Sequence, residues 1–194
     1  MTKQGFMRLR NRILGFVMGG ALLMACGQSE YALLESKELA SGVRQDSLIM
    51  ELYFGDLRKD FFKHCWELNK KGLISHGPDN QNVQYNLEDK EGKELTLLFY
   101  PKFDTKDRIK RMDMEFIYKG WAPWNEHLYP DKLLPQVKEI LMDWYKGNEF
   151  ILVELDDSSD KYWVKVDGNR RISLGEYRDK SVSVRVTDLL NEDN

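Results

Sequence analysis

The chain has 194 residues, with 29 Lys and Arg against 32 Asp and Glu, a hydrophobic fraction of 42% and an aromatic fraction of 12%. This length fits one domain or two small ones, and the apolar content excludes global disorder. The 2 cysteines exclude a disulfide-dense miniprotein, and the near balance of charge argues against a protein held on nucleic acid by bulk electrostatics.

Residues 1–25 have the composition of a secretory signal. Lys3, Arg8, Arg10 and Arg12 are followed by the uncharged run 13–25, which is shorter than the roughly 20 residues of a membrane-spanning helix. The run Leu23-Met24-Ala25-Cys26-Gly27 resembles the lipobox of bacterial lipoproteins. The resemblance implies that residues 1–25 are removed and that the sulfur of Cys26 carries a lipid. An ordinary signal peptide is the alternative.

Lipidation of Cys26 would attach the mature chain to a membrane of the cell envelope. The resemblance favours the outer membrane, because Gly27 stands where an acidic residue can signal retention in the inner membrane. Removing four of the 29 basic residues and none of the 32 acidic ones leaves a formal net charge of −7. Such a surface disfavours polyanions, so nucleic acid is not expected as a partner.

The segment 26–46 is predicted as a lipidated tether with a short helix around residues 31–40, whose leucines are too few to bury it independently. The apolar run 47–54 follows. Its length fits a strand or a buried helical turn, and periodicity alone does not separate the two.

A helix is predicted over residues 57–71, with Asp56 capping its N-terminus and Gly72 its C-terminus. Its apolar residues are expected to face the core: Leu57, Phe61, Phe62, Cys65, Trp66 and Leu68. Once Cys26 is lipidated, Cys65 has no disulfide partner, and its place on this face indicates a small buried side chain rather than a reactive thiol.

Period-two alternation predicts three strands over residues 83–87, 95–99 and 112–118. Each strand has one apolar face, which is typical of an antiparallel meander. We expect the helix over residues 57–71 to cover that face.

The second half repeats this plan. Five apolar residues recur at the spacing of one buried helical stripe: Leu133, Val137, Ile140, Leu141 and Trp144. The helix is expected to begin near Leu134, since Pro135 is tolerated only in a first turn, and to end at residues 147–148. Asp167-Gly168 is the predicted hairpin turn within four further strands. Those strands are 150–155, 161–166, 169–174 and 181–187. The sequence therefore predicts an α+β fold of two successive helix-plus-antiparallel-meander units, over 47–120 and 121–194.

The sequence contains none of the motifs HExxH, CxxC, GxGxxG, GxxxxGK[ST] or Gly-x-Ser-x-Gly. No catalytic residue, metal ligand or cofactor is therefore predicted. The acidic run 156–160 offers oxygen ligands for Ca²⁺ but lacks EF-hand spacing, and it is interpreted as a solvated hairpin loop.

One aromatic segment joins the two predicted units. Trp121, Trp124 and Tyr129 could form a platform for a sugar or a peptide. The alternative is that both tryptophans are buried at the joint. Glu126 and His127 of the same segment leave open a hydrolase of unfamiliar type.

The lipobox, the run DFFKHCWELN at residues 60–69 and the run WAPWN at residues 121–125 resemble small envelope lipoproteins of the Bacteroidota type, a group that brings no assigned activity. The helix-plus-meander layout is also similar to BLIP-like and BamE-like modules, which bind other proteins. The sequence therefore predicts a lipid-anchored, non-enzymatic envelope protein with a protein-binding or structural role. A glycan- or peptide-binding surface lipoprotein is the alternative.

Overall fold

The computed structural model describes residues 30–154, 161–177 and 180–191. The predictions for the signal 1–25, for Cys26 and for the acidic run 156–160 lie outside the described residues. The helices are α1 (Glu30–Ala40), α2 (Arg58–Lys70) and α3 (Pro130–Trp144). The strands are β1 (Ser75–His76), β2 (Val83–Glu88), β3 (Glu94–Phe103), β4 (Ile109–Tyr118), β5 (Ile151–Glu154), β6 (Lys161–Asp167), β7 (Arg170–Tyr177) and β8 (Ser181–Asp188).

The described strands form one antiparallel sheet in the order β1-β2-β3-β4-β8-β7-β6-β5. Each half of the chain contributes a meander of consecutive strands, and the pairing of β4 with β8 joins the two meanders. The α+β fold predicted from the sequence is confirmed.

Helix α3 lies across the middle of the sheet, over β4, β8 and β7. Its side chains Leu133, Val137 and Leu141 are fully buried against the sheet. Burial of this apolar stripe favours the helical conformation of the segment. The helix begins at Pro130 rather than near Leu134, because a proline suits the first helical position. Pro135 then lies in the second turn, where its missing N–H leaves one helical hydrogen bond unmade. Burial of the apolar stripe offsets that loss.

Helix α1 lies on the opposite face of the sheet. Ile172 of β7 is buried on the face that α3 covers, and its neighbour Arg171 therefore points to the other face. Arg171 donates to the Tyr31 hydroxyl at 2.9 Å, and the N–H of Gly168 donates to a Glu38 carboxylate oxygen at 2.9 Å. None of the α1 side chains is fully buried, and these two polar contacts help to hold the helix on the sheet.

Helix α2 packs at the margin of the sheet and does not cover the first meander as expected. Its one buried side chain, Phe61, packs edge-on against the rings of Tyr100 and Phe103, with centroid distances of 5.8 and 6.1 Å. The expectation that Phe62 and Trp66 are buried is wrong. They project about 100° away from the neighbouring stripe residues Phe61 and Cys65, which face the core.

The ends of α2 agree only in part with the caps predicted from the sequence. Gly72 adopts φ +70° and confirms the predicted left-handed end of the helix. Asp56 does not cap the N-terminus, because its carboxylate accepts the Tyr53 N–H at 2.8 Å instead. Leu57 takes the N-cap position without a side-chain hydrogen bond.

Two turns also differ from expectation. The run 47–54 is neither a strand nor a helix but a tight reversal closed by the bridge between Ser47 and Tyr53. In the second meander, Asp167 pairs with Arg170, so the hairpin turn consists of residues 168–169 rather than Asp167-Gly168. Gly168 supplies the positive φ of +57° that this turn needs.

Candidate functional site

The aromatic segment between β4 and α3 divides its side chains between core and solvent. Trp124 is 80% exposed, the largest value among the large apolar side chains that the structure describes. Trp121 is half-buried, with its indole N–H inward and lacking an acceptor. The Tyr129 hydroxyl donates to the Pro123 carbonyl at 2.6 Å. Of the three predicted platform residues, only Trp124 presents a freely exposed ring.

The two polar residues considered for catalysis lie next to this segment. Glu126 and His127 occupy a short 3-10 turn and are both exposed. Neither lines any of the clefts described below. The turn therefore holds the two side chains in solvent, outside these clefts.

A cleft lies over β2, because α3 covers the centre of the sheet and α2 only its margin. The apolar side chains of Val83, Tyr85 and Leu87 share one face of β2 and are only half-buried. We call the opening above residues 85–90 the β2 cleft. It combines a volume of 330 Å³ around Tyr85 and Leu97 with a volume of 600 Å³ along residues 85–90, and both are lined by Tyr85 and Trp144.

One wall of the β2 cleft is the tight reversal at residues 48–50. Met50 and Glu51 adopt φ values of +51° and +61°, which non-glycine residues rarely adopt. The Leu48 N–H donates to the Leu52 carbonyl at 2.8 Å, and His64 Nε2 donates to the Met50 carbonyl at 2.6 Å. These bonds hold the strained turn against α2 and place Met50 at the cleft.

The opposite wall is the C-terminal end of α3, with Ile140, Asp143 and Trp144. Trp144 was predicted to lie in the buried stripe of this helix. It is instead 39% exposed and rests on Phe116, with a centroid distance of 6.1 Å. The helix ends here, so the indole ring overhangs the cleft and is only partly covered by the core.

Carboxylates dominate the rim of the β2 cleft. Glu139 and Asp143 of α3 are exposed at this rim, and Lys90 faces both of them. Lys90 Nζ lies 3.2 Å from Glu139 Oε2 and 3.4 Å from Asp143 Oδ2. The hydrogen bond that Lys90 donates to Glu139 and the charge of Asp143 raise the pKa of Lys90. The rim is therefore acidic even with Lys90 fully charged.

A second apolar surface lies on the other side of α2. Phe62 and Trp66 are 50% and 59% exposed and border a groove of 350 Å³ that reaches Val83 and Tyr100. Lys70 Nζ lies 3.6 Å from the centroid of the Trp66 ring and covers one of its faces. We call Phe62, Trp66 and this groove the α2 surface. It presents aromatic rings to solvent beside the open half of the sheet.

Cys65 lines this groove but is not a nucleophile at neutral pH. Burial raises the pKa of the Cys65 thiol to about 11. The thiol therefore stays protonated, and the protonated form is the weaker nucleophile. Its role as a small apolar side chain agrees with the sequence analysis.

The second half of the chain contains a buried polar cluster that the sequence analysis missed. Lys165 Nζ lies 3.1 Å from Asp167 Oδ2 and donates to the Asn148 carbonyl at 2.8 Å. Arg170 Nη2 lies 3.7 Å from the same Asp167 oxygen, and its Nη1 donates to the Ser47 carbonyl at 3.1 Å. Desolvation lowers the pKa of Lys165, and Asp167 opposes that shift.

This cluster joins the hairpin of β6 and β7 to two distant parts of the chain, the arm before α2 and the segment after α3. Lys165, Asp167 and Arg170 are all buried, and none of them lines the clefts described above. The sequence offers one indication of this cluster, because the period-two pattern of β6 places Lys165 at a core-facing position. The cluster fixes the fold and offers no access to a substrate.

The fold and these surfaces define an α+β domain with an open apolar cleft and an exposed aromatic surface on its first half. Comparison with protein-family models, with curated proteins and with solved structures finds no match to this chain. Within residues 30–154, 161–177 and 180–191, no group of three or more His, Cys, Asp or Glu side chains is placed to hold a metal ion. Across the same ranges, every helix is too short or too polar to cross a membrane.

Proposed function

We propose that the chain is a lipid-anchored protein of the bacterial cell envelope, held in the outer membrane by acyl chains on Cys26, and that its folded domain binds another envelope protein. The signal-like residues 1–25 and the lipobox resemblance of residues 23–27 support the anchor. Two or three long acyl chains suffice to hold a protein stably on a bilayer.

The exposure of Phe62 and Trp66 carries the proposal of a protein partner. The two rings lie on adjacent turns of α2 and continue into an apolar groove. Contiguous exposed apolar surface of this kind typically marks an interaction site. Tryptophan is also among the residues that contribute most to binding energy at protein interfaces. A partner that covers the α2 surface would remove both rings from water.

Co-purification from crosslinked membranes tests this proposal. We expect the wild-type chain to recover a reproducible partner protein, and the double variant Phe62→Asp/Trp66→Asp to lose it. The control is Leu152→Asp, which places the same charge on an exposed apolar residue of β5 and should retain the partner. An equal yield from all three chains, or no reproducible partner for the wild type, would contradict the proposal.

Labelling with radioactive palmitate tests the anchor separately. The wild-type chain and Cys65→Ala should incorporate the label, because Cys65 is a side chain of the folded domain. The variant Cys26→Ala should incorporate none. Normal labelling of Cys26→Ala would refute the lipidation of that residue.

A second function is favoured by one observation, the 80% exposure of Trp124. An open indole ring can stack on a sugar or on a peptide side chain. Since the Tyr129 hydroxyl is bonded to Pro123, the platform would consist mainly of the Trp124 ring. Trp124→Ala should then weaken binding to soluble peptidoglycan fragments at least about threefold, with Trp66→Ala as the control. Equal binding of the fragments by Trp124→Ala and Trp66→Ala would contradict this second function.

A further inference from the structure

The outer edge of β2 is only partly paired. Strand β1 has two residues, and its partners are Val83 and Gln84. Residues 85–88 pair with β3 on one side, and no described strand pairs with them on the other. An open strand edge offers a row of backbone donors and acceptors that can accept another strand.

This open edge borders the β2 cleft. All six consecutive residues 85–90 line it. Side chains of a strand alternate between the two faces, so side chains on one face cannot account for the four consecutive strand residues 85–88. The backbone of the strand edge therefore forms part of the cleft wall, and an extended chain lying in the cleft would be within reach of it.

From this arrangement we propose that the β2 cleft binds an extended peptide segment of the partner protein, which adds a strand to β2 at residues 85–88. The inference rests on the proposed protein-binding function and deepens it. Four paired residues span about 13 Å. Every second side chain of the peptide points into the apolar part of the cleft, between Met50, Tyr85 and Trp144.

Charged residues on the other face of the sheet specify the charge of this peptide. The side chains between the apolar ones point to that face, where Glu88 of β2 lies opposite Glu94 of β3 and Lys119 bonds to Glu94. Two carboxylates against one ammonium group favour basic side chains at these positions of the peptide. The same reasoning disfavours a second copy of this chain, whose mature form has a formal net charge of −7. The peptide therefore alternates apolar with basic residues.

The test uses an eight-residue peptide of alternating valine and lysine, with an alternating valine and glutamate peptide as its matched control. We expect saturable binding of the basic peptide and at least about tenfold weaker binding of the acidic one, since like charges repel across an interface. Glu88→Lys should narrow the difference in affinity between the two peptides. Failure of the basic peptide to bind, or equal binding of both, would overturn the inference.

Backbone methylation tests strand addition itself. A strand in the cleft turns alternate N–H groups toward β2, so methylating one set of alternate nitrogens should abolish binding, while methylating the other set should leave it. Hydrogen exchange should show new protection of the amides of residues 85–88. Equal effects of the two methylated peptides, or protection confined to α2, would contradict the proposed pairing.

These results are separable from those on the proposed function. A partner that depends on Phe62 and Trp66, together with a cleft that binds neither peptide, would overturn the strand addition and leave the protein-binding function standing. No reproducible partner in the co-purification would overturn the function, whatever the peptides do. Leu152→Ala, on the opposite edge strand β5, should not alter peptide binding, and a loss there would also contradict the site.

Discussion

The two halves of the chain share one plan, a helix followed by a meander, but differ in what covers the sheet. In the second half, α3 lies across the strands. The buried ion pairs among Lys165, Asp167 and Arg170 also stabilise the hairpin of β6 and β7. In the first half, α2 stands at the margin, and the apolar face of β2 stays half-open. From this difference we infer a division of tasks: the second half supplies stability, and the first half carries the proposed binding surface.

The buried polar cluster should give the largest effect on stability. Asp167→Ala leaves Lys165 and Arg170 buried without their carboxylate, so we expect the free energy of unfolding to fall by about 3–5 kcal/mol. Urea denaturation measures this. As a control on the open half, Asp143→Ala removes an exposed rim carboxylate and should leave the unfolding midpoint nearly unchanged. A similar unfolding midpoint for Asp167→Ala and wild type would contradict the claim that the buried cluster stabilises the second half.

Two adjacent phenylalanines of α2 allow a direct comparison of a core side chain with a surface side chain. Phe61 is buried and Phe62 is half-exposed, with their rings 5.4 Å apart. Phe61→Ala should lower the free energy of unfolding by about 3 kcal/mol, and Phe62→Ala by about 1 kcal/mol or less. The partner yield should change in the opposite order, with the larger loss in Phe62→Ala. Equal destabilisation by the two variants would show that Phe62 belongs to the core.

The Cys65 thiol provides a pH-dependent test of burial beside the α2 surface. Its pKa of about 11 in the folded state exceeds the ordinary value of 9. The folded chain therefore keeps a proton that the unfolded chain releases, so this contribution to stability is complete below pH 9 and is lost as the pH rises to about 11.

Alkylation by iodoacetamide measures this directly. At pH 8 the folded thiol should react at least about tenfold more slowly than the thiol in the unfolded chain. Cys65→Ala gives the background from Cys26. Equal rates in the folded and the unfolded chain would show that Cys65 is open to solvent.

The smallest effect is expected at the strained turn of the first half. Glu51 has φ +61°, a conformation that asparagine tolerates better than glutamate. Glu51→Asn should therefore raise the free energy of unfolding by about 0.5 kcal/mol in thermal denaturation. Glu91→Asn, at an exposed position without positive φ, is the matched control and should not raise it. A loss of stability in Glu51→Asn would mean that the glutamate side chain itself holds the turn.

The elements with a clear period were predictable from the sequence. Alternation located β2, β3 and β4, and the stripe from Leu133 to Leu141 located α3, because burial of one face decides both patterns. Boundaries were less predictable. Pro135 suggested a later start for α3, whereas Pro130 already satisfied the first turn. Strand β1 has two residues and no period, so no pattern could predict it.

The candidate site was predictable only in part. Trp124 was recognised, but Phe62 and Trp66 were assigned to the core from composition alone. Phe61, Cys65 and Leu68 already fill one face of α2 at helical spacing, and this signal could have placed the other two rings in solvent. The bond from His64 to Met50 and the bond from Arg170 of the buried cluster to Ser47 join residues far apart in the chain. Such contacts depend on tertiary packing, which a single sequence does not encode locally.

Photo-crosslinking in intact cells tests most directly whether the first half is the binding surface. A benzophenone amino acid is placed in separate chains at Trp66 and Asn86 of the first half and at Leu152 and Leu190 of the second, all of which are exposed. We predict that Trp66 and Asn86 crosslink to the same envelope protein and that the other two positions do not. Crosslinks of equal yield at Leu152 and Leu190, or none at Trp66 and Asn86, would contradict the division of tasks between the two halves.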